Sequence, residues 1–198
     1  MPTFDNSKQK VENKHRMKKA LVLFIGFICY QIICHAQVMD EHYYFKNLSV
    51  QNGLSQNTVN AILQDKQGFM WFGTKDGLNR YDGLSFRKFK HDGRSQQSIG
   101  NSFITALYED AEGNIWVGTD VGLYIYYPEH DSFRHFEELS VEDTKIEHTV
   151  TAIVGDDQGC VWIAVESQGL FCYDLEKEQL QNYTLKNFPF ISTNVQSF

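Results

Sequence analysis

Basic side chains are scarce in this sequence of 198 residues, which has 18 Lys and Arg against 25 Asp and Glu and a formal net charge of −7 at pH 7. Residues 1–36 hold six of the basic and two of the acidic residues, so the remainder has 12 basic and 23 acidic residues, a net charge of −11. Nucleic acid and anionic lipid surfaces are bound through clusters of Lys and Arg, and the sequence after residue 36 has none. Neither is therefore expected as a partner.

The sequence also lacks an apolar run of the roughly 20 residues that a membrane-spanning helix needs. The longest run, Ala20–Ile33, follows two lysines and is interrupted by a glutamine. Small residues, Cys34 and Ala36, then stand at the −3 and −1 positions of a cut before Gln37. This order is typical of a secretory signal peptide that begins at Met17 and is cleaved between Ala36 and Gln37, so export is predicted; a membrane anchor is the alternative.

Cysteine is rare as well, and two of the four, Cys29 and Cys34, lie in the predicted signal peptide. Cys160 and Cys172 are left in the exported part, where an oxidising compartment permits a disulfide bond. The matching positions of the repeats described next hold no cysteine, so a disulfide is not built into the repeat. The sequence leaves the pairing of Cys160 with Cys172 open, and two thiols alone are too few for a structural metal site.

One pattern occurs three times along the chain. It consists of Asp-x-x-Gly-x-x-Trp followed by a small residue, a second glycine turn, a leucine and a tyrosine, and its tryptophans are 45 and 46 residues apart. Such a period is the length of one supersecondary unit. The recurring positions, which we single out as structural, are Asp65, Asp110 and Asp156; Gly68, Gly113 and Gly159; Trp71, Trp116 and Trp162; and Tyr81, Tyr126 and Tyr173.

Each repeat contains four short runs separated by glycine turns, which predicts a four-stranded antiparallel sheet. In the first run, Ala61 and Leu63 fall on one face and Ile62 on the other, so both faces are apolar and need cover. Sheets that stack face to face around an axis provide it, and we predict an all-β fold: a partial β-propeller of about three blades with flanking strand fragments.

The period divides the chain into six segments. Residues 1–36 are upstream residues and the signal peptide, and residues 37–53 are an N-terminal strand, centred on Tyr43–Phe45, with a lead-in. Blade repeats 1, 2 and 3 occupy residues 54–98, 99–144 and 145–190, and residues 191–198 match the start of a fourth. Three blades are too few to close a ring, so we expect the sequence to be part of a larger propeller.

No catalytic, cofactor-binding or metal-binding residue is predicted. The recurring aspartates lack calcium-loop spacing and are expected to cap turn amides. His130 and His135, with Asp131 between them, make a metal site conceivable, but solvated loop histidines are the favoured interpretation. The tryptophans are expected to pack between blades; sugar-stacking platforms are the alternative.

The stretches "GFMWFGTKDGLNRYDG" and "GNIWVGTDVGLYIYY" resemble the two-component regulator propeller repeat, and the resemblance extends over about Tyr44–Phe198. In that family, such repeats form the exported sensor region of hybrid two-component receptors of Gram-negative bacteria, ahead of a membrane helix, a histidine kinase, a receiver and a DNA-binding domain. The resemblance implies a periplasmic, non-enzymatic module that senses an oligosaccharide or other small ligand, with two receptor copies able to pair. It implies no cofactor.

Two other functions stay open at this stage. The repeats can serve as a scaffold that docks with another protein chain. They can also belong to a secreted propeller lyase or hydrolase that acts on sugars, which would need acid and base residues facing one cavity.

Overall fold

The structure is a computed structural model and describes residues 16–28, 30, 44–138 and 145–183. The chain divides into two compact units, residues 1–46 and 47–198. In the first unit, residues 16–28 form an α-helix with exposed side chains. No helix in the described part of the chain is both long and apolar enough to cross a membrane. The predicted cleavage site at Ala36 and Gln37 lies outside the described residues.

The second unit is built from three sheets, each a meander of four antiparallel strands in sequence order. The first sheet contains β1 (Val59–Gln64), β2 (Met70–Thr74), β3 (Gly77–Tyr81) and β4 (Phe86–Phe89). The second contains β5 (Ile104–Glu109), β6 (Ile115–Thr119), β7 (Leu123–Tyr127) and β8 (Ser132–His135). The third contains β9 (Val150–Gly155), β10 (Cys160–Val165), β11 (Gly169–Asp174) and β12 (Gln179–Tyr183). Short 3-10 helices occupy Val50–Asn52 and Phe136–Glu138.

Neighbouring sheets meet along their first strands. The side-chain amide of Asn60 in β1 donates from Nδ2 to the carbonyl oxygen of Ile104 in β5 at 2.8 Å. One repeat later, Thr105 in β5 donates from Oγ1 to the carbonyl oxygen of Val150 in β9 at 2.6 Å. The first strands therefore lie side by side around a common axis, which makes the three sheets blades 1, 2 and 3 of a partial β-propeller.

Glycine in the second strand of a blade allows this close approach. A Cβ placed on Gly73 would lie 2.6 Å from Cγ2 of Ile104, and one on Gly118 would lie 2.9 Å from Cβ of Val150. Only a residue without a side chain leaves room for the branched side chain of the next blade at this distance. Blade 3 has Ala164 at the corresponding position.

Two apolar cores hold the blades together, one on each side of blade 2. The core between blades 1 and 2 includes Trp71, Leu78, Ile99, Ile104, Ile115, Val117, Tyr126 and Phe133. The core between blades 2 and 3 includes Trp116, Leu123, Ile125, Phe136, Ile146, Val150, Val161, Ile163, Phe171 and Tyr173. The predicted cover on both faces thus holds for blade 2. In blade 1, Ile62 lies on the face away from blade 2 and is 61% exposed.

The predicted N-terminal strand is wrong for its described part. Tyr44 and Phe45 are in no strand and are 92% and 98% exposed. The physical reason is that a strand forms only where a hydrogen-bonded neighbour satisfies its backbone groups. Tyr43 and the predicted fourth-repeat start, residues 191–198, lie outside the described residues.

Candidate functional site

The recurring aspartates bind the turn that joins the first two strands of each blade. Asp65 Oδ1 accepts hydrogen bonds from the amides of Gln67 and Phe69 at 3.0 and 2.8 Å. Its other oxygen, Oδ2, accepts the indole N–H of Trp71 at 2.7 Å. Asp110 holds Trp116 at 2.9 Å and Asp156 holds Trp162 at 2.8 Å in the same way. The predicted amide cap is confirmed; the indole bond was not foreseen.

This arrangement affects the acidity of Asp156. The Trp162 indole N–H, followed by the Cys160 amide, stabilises the ionised carboxylate and lowers its pKa. The third residue after each aspartate is a glycine with positive φ, at 90° for Gly68, 87° for Gly113 and 84° for Gly159. The Asp-x-x-Gly segment is a tight turn and its carboxylate is fully engaged, so it has a structural role.

The tryptophans differ in burial from blade to blade. Trp71 and Trp116 are each 1% exposed and pack against the tyrosine of the following blade, at ring distances of 5.4 Å to Tyr126 and 5.8 Å to Tyr173. Such burial excludes sugar stacking on these two rings. Trp162 in blade 3 is only partly buried and packs against Tyr183 of its own blade, with the ring centres 5.3 Å apart and the rings tilted by 48°.

The recurring tyrosines are also packing residues. Tyr81, Tyr126 and Tyr173 are all buried. Tyr126 donates from its hydroxyl to Asp131 Oδ1 at 2.8 Å, and burial together with this carboxylate raises its pKa to about 12. Asp131 also accepts a hydrogen bond from Arg87 of blade 1 at 2.5 Å. Tyr126 thus supports the ion pair of Arg87 with Asp131 between blades 1 and 2.

The two cysteines lie on neighbouring strands of blade 3, as predicted. Cys172 pairs with Trp162 across β10 and β11, two residues away from the pair of Cys160 with Asp174. Both are free thiols in the structure. Burial, followed by the hydrogen bond with the Cys160 side chain, raises the pKa of Cys172 to about 12.

One cavity in the described part of the chain lies away from the recurring aspartates, tryptophans and tyrosines. It has a volume of about 740 Å³ and is lined by the loop of residues 91–100, which leads from blade 1 into blade 2, by Tyr124 of β7 and by β8 with the turn before it. We call it the loop pocket. Its size is within the range of small-molecule sites, about 300–1,000 Å³.

The loop wall of the pocket is fixed by hydrogen bonds. The amide of Phe133 in β8 donates to the carbonyl oxygen of Gln97 at 3.0 Å. Ser98 accepts the amide of Asp92 at 3.1 Å and donates back to the carbonyl oxygen of Asp92 at 3.0 Å. Gly100 lies so close to Tyr124 that a Cβ there would be 2.3 Å from the phenol oxygen. The wall is therefore preorganised.

Polar and basic groups line the pocket. His91, His130, Arg134 and His135 contribute to it, and its one carboxylate is Asp92. His91 donates from Nδ1 to the carbonyl oxygen of Ile99 at 3.2 Å, which leaves Nε2 for a ligand. His135 accepts the amide of Glu137 on Nδ1 at 3.4 Å, so its Nε2 carries the ring proton. Basic and hydrogen-bonding side chains are thus concentrated in the loop pocket, although the chain as a whole carries a net negative charge.

The structure brings His130 and His135 together in this pocket but does not make them a metal site. No group of three or more His, Cys, Asp or Glu in the described part of the chain could hold a metal ion. Sequence reasoning missed Arg134, Tyr124 and the loop of residues 91–100. The signals were the polar run Ser95–Ser98 and Gly100, which stands where blade 1 has Ser55.

Comparisons with known proteins agree with this fold. The family model described as "Two component regulator propeller" matches residues 53–76 and 98–121, in the first two repeats. A curated relative, histidine kinase P4 of Formosa agariphila, is 38% identical over 63 residues, which are 32% of this chain and 5% of the kinase.

Among solved structures, the extracellular domain of the putative hybrid two component system BT3049 from B. thetaiotaomicron matches with a TM-score of 0.66 and 29% identity over 75% of this chain. The extracellular domain of BT4673 from the same organism, a putative one component system, matches with a TM-score of 0.62 and 21% identity over 80% of this chain, a likeness of fold alone. The chain spans 21% of the length of each of these domains.

Proposed function

Because the chain carries two-component regulator propeller repeats, we propose that it is part of the ligand-sensing region of a hybrid two-component receptor. The observation that supports this most directly is the match of the first two repeats to the family model. The likeness to the extracellular domain of the BT3049 system, with the same fold at 29% identity, supports it independently.

The proposed place of action is the periplasm. The basic residues ahead of the apolar run Ala20–Ile33, and the small residues before Gln37, are the sequence features of a cleaved export signal. Mass spectrometry of the protein recovered from a periplasmic extract would test this. An N-terminus at Gln37 is expected, and an uncleaved chain in the membrane fraction would contradict it.

The proposed ligand is an oligosaccharide, and the proposed role is recognition without chemistry. The ligand contacts propeller loops, and the resulting movement between two receptor copies biases the kinase. The loop pocket supports binding, because it combines a fixed wall with several hydrogen-bonding side chains. Glycoside cleavage generally uses two facing carboxylates, whereas Asp92 is the pocket's one carboxylate and caps the amide of Arg94 at 3.0 Å.

Calorimetric titration of the purified chain with a panel of neutral and acidic oligosaccharides tests the sensing function. At least one saturable interaction without product formation is expected. Silence across the whole panel, for this chain and for the intact receptor, would refute ligand sensing, and release of shortened sugars would favour the enzyme.

A scaffold function has one observation in its favour. The face of blade 3 that carries Trp162 and Val154 is only partly covered by the described residues, and blade faces of this kind bury against a neighbouring blade. Co-purification with the chain, reduced by a Val154→Lys change on this face, would support docking. Purification of the protein without any accompanying chain would contradict the scaffold function.

A further inference from the structure

Cys160 and Cys172 lie on the same face of blade 3, at diagonal positions of neighbouring strands. Cys172 of β11 pairs with Trp162 of β10, and Cys160 stands two residues before Trp162. Side chains two residues apart on a strand share a face, and so do directly paired residues of neighbouring strands. The two thiols therefore project from the face that carries Trp162, and a hydrogen bond joins their side chains.

Blade 1 shows that side chains at these two repeat positions reach each other. Phe69 of blade 1 corresponds to Cys160. Arg80 corresponds to Cys172, because each pairs with the tryptophan of its own blade. The guanidinium carbon of Arg80 lies 4.5 Å from the centre of the Phe69 ring. A contact between the two positions is thus made in blade 1 as well, and in blade 3 two cysteines occupy them.

The backbones that carry the two cysteines are fixed. The amide of Cys160 donates to Asp156 Oδ1 at 2.9 Å. The amide of Leu175 donates to the carbonyl oxygen of Gly159 at 3.1 Å, next to the point where β10 and β11 begin to pair. Cys172 lies within β11, which pairs with β10 on one side and with β12 on the other. The fold therefore holds the two thiols close together, which raises their effective concentration for bond formation.

We propose that Cys160 and Cys172 are a disulfide-forming pair, which links β10 to β11 when the chain meets an oxidant that itself carries a disulfide. Exported compartments are oxidising, and a disulfide bond stabilises mainly by restricting the unfolded chain. The site is specific to blade 3, because the matching positions of the other two repeats hold no cysteine. The inference is independent of the proposed sensing function, since no ligand takes part.

The two cysteines differ in access, which sets the order of the steps. Cys160 is partly exposed, whereas Cys172 is buried, and burial raises its pKa to about 12. Cys160 therefore loses its proton to water first and attacks one sulfur of the donor, which forms a mixed disulfide and releases one donor thiolate. Cys172 then loses its proton to water, and its sulfur attacks the Cys160 sulfur and releases the second donor thiolate. The chain has lost two electrons and two protons, and the donor disulfide has been reduced to two thiols.

Equilibration of the full chain with reduced and oxidised glutathione tests the inference. Cys29→Ser and Cys34→Ser are made first, so that Cys160 and Cys172 are the two remaining thiols. After equilibration at pH 8, free thiols are alkylated and the chain is cleaved after its glutamates, one of which, Glu166, lies between the two cysteines. Mass spectrometry then measures the fraction of the two peptides that stays linked.

The equilibrium constant for the linked form should be about ten-fold or more larger in the folded chain than in the same chain in concentrated urea, because folding already holds the thiols together. The matched control combines Cys160→Ser with Asp157→Cys, which moves the thiol into the exposed turn before β10. This variant should show no such difference between folded and unfolded chains.

Single variants test the order of the steps. Cys172→Ser should stop at a glutathione adduct on Cys160, whereas Cys160→Ser should collect little adduct because Cys172 is buried. Circular dichroism verifies that both variants fold.

Three results would overturn the inference. A linked fraction in the folded chain no larger than in urea would show that the fold does not bring the two sulfurs within bonding range. An equal advantage of folding in the Asp157→Cys control would show that nearness along the chain is enough. Equal adducts on the two single variants would refute the order of attack. None of these results bears on ligand sensing, which is tested with sugars.

Discussion

At the scale of single residues, one aspartate in each repeat satisfies both the backbone of a turn and a buried indole. Asp110 shows this most fully, since it accepts the amides of Glu112 and Asn114 at 3.0 and 2.9 Å and the indole of Trp116 at 2.9 Å. A buried donor that loses its acceptor pays the full desolvation cost. The contribution of each aspartate to the free energy of unfolding should therefore increase with the burial of its tryptophan.

We predict that Asp110→Ala lowers the free energy of unfolding by about 3 kcal/mol, because a buried indole N–H and two amides lose their acceptor. Urea unfolding followed by tryptophan fluorescence measures it. Asp157→Ala, at an exposed position in the matching turn of blade 3, is the control, with an expected change of about 0.5 kcal/mol or less. Equal midpoints for the two variants would contradict the structural role of Asp110.

The two thiols of blade 3 should differ in reactivity. The pKa of Cys172 is raised to about 12, so its thiolate fraction at pH 8 is on the order of one in ten thousand, and its side chain is buried. After reduction, iodoacetamide at pH 8 should alkylate Cys160 in the folded protein and leave Cys172 unmodified. Peptide mass spectrometry locates the label. Equal labelling under native conditions would be incompatible with the burial of Cys172.

At the scale of elements, neighbouring blades are joined by close contacts at glycines of the second strand and, between blades 1 and 2, by an ion pair. Gly118 faces Val150 of blade 3, and Arg87 of blade 1 faces Asp131 in the turn between β7 and β8. The first contact depends on the absence of a side chain and the second on charge. They can therefore be tested separately.

Gly118→Ala should destabilise the interface between blades 2 and 3 by about 1–3 kcal/mol, because its Cβ would lie 2.9 Å from Cβ of Val150 and both strands are fixed. Thermal unfolding measures the change. Gly93→Ala is the matched control, since the nearest atom to its Cβ, His91 Nε2, is 3.8 Å away. The same melting temperature for both variants would argue against close packing at this interface.

The link between Arg87 and Asp131 should make stability depend on pH in the acid range. Hydrogen bonds from Arg87 and Tyr126 lower the pKa of Asp131 below its unfolded value. A group with a lowered folded pKa stabilises the protein above its unfolded pKa, about 3.9, and the contribution is lost as pH falls through the folded pKa. Tyr126 titrates far above this range, with a pKa of about 12.

Asp131→Asn removes that contribution and keeps a residue that tolerates positive φ. Wild type should therefore be more stable than Asp131→Asn at pH 6, and the difference should shrink as pH is lowered below about 4. Urea midpoints across this range measure it. A difference that stays constant down to pH 2 would show that the ion pair does not carry the effect.

At the scale of the whole molecule, the two outer blade faces of the described part are incompletely covered. Ile62 on blade 1 is 61% exposed, and Val154 beside Trp162 on blade 3 is 38% exposed. Apolar sheet faces of this kind favour self-association.

We expect the purified chain to bind a hydrophobic dye and to elute as more than a monomer in size-exclusion chromatography. The double change Ile62→Lys with Val154→Lys should reduce both signals. Leu84→Lys is the control, because Leu84 is exposed but lies in a turn rather than on a sheet face. A stable monomer without dye binding would contradict this expectation.

Much of the fold could be predicted from the sequence because the same pattern of residues occurs three times. The Asp-x-x-Gly turns, four strands per repeat and burial of Trp71 and Trp116 are all as predicted. The strand at Tyr44 and Phe45 was not, since a short aromatic run does not reveal whether a partner strand exists. The loop pocket was missed for a related reason: it belongs to one blade only, and a pattern search finds what recurs.

The sequence by itself determined the blade, because hydrophobic alternation, glycine turns and a capping aspartate are local features that act within about 45 residues. Only the tertiary structure decided how equivalent positions of the repeats differ in burial and charge pairing. Trp116 is enclosed between two blades and Trp162 is not. Arg87 forms an ion pair, whereas Arg134 borders a pocket. The physical reason is that burial and charge pairing depend on which neighbour lies across the gap, and that neighbour comes from another repeat.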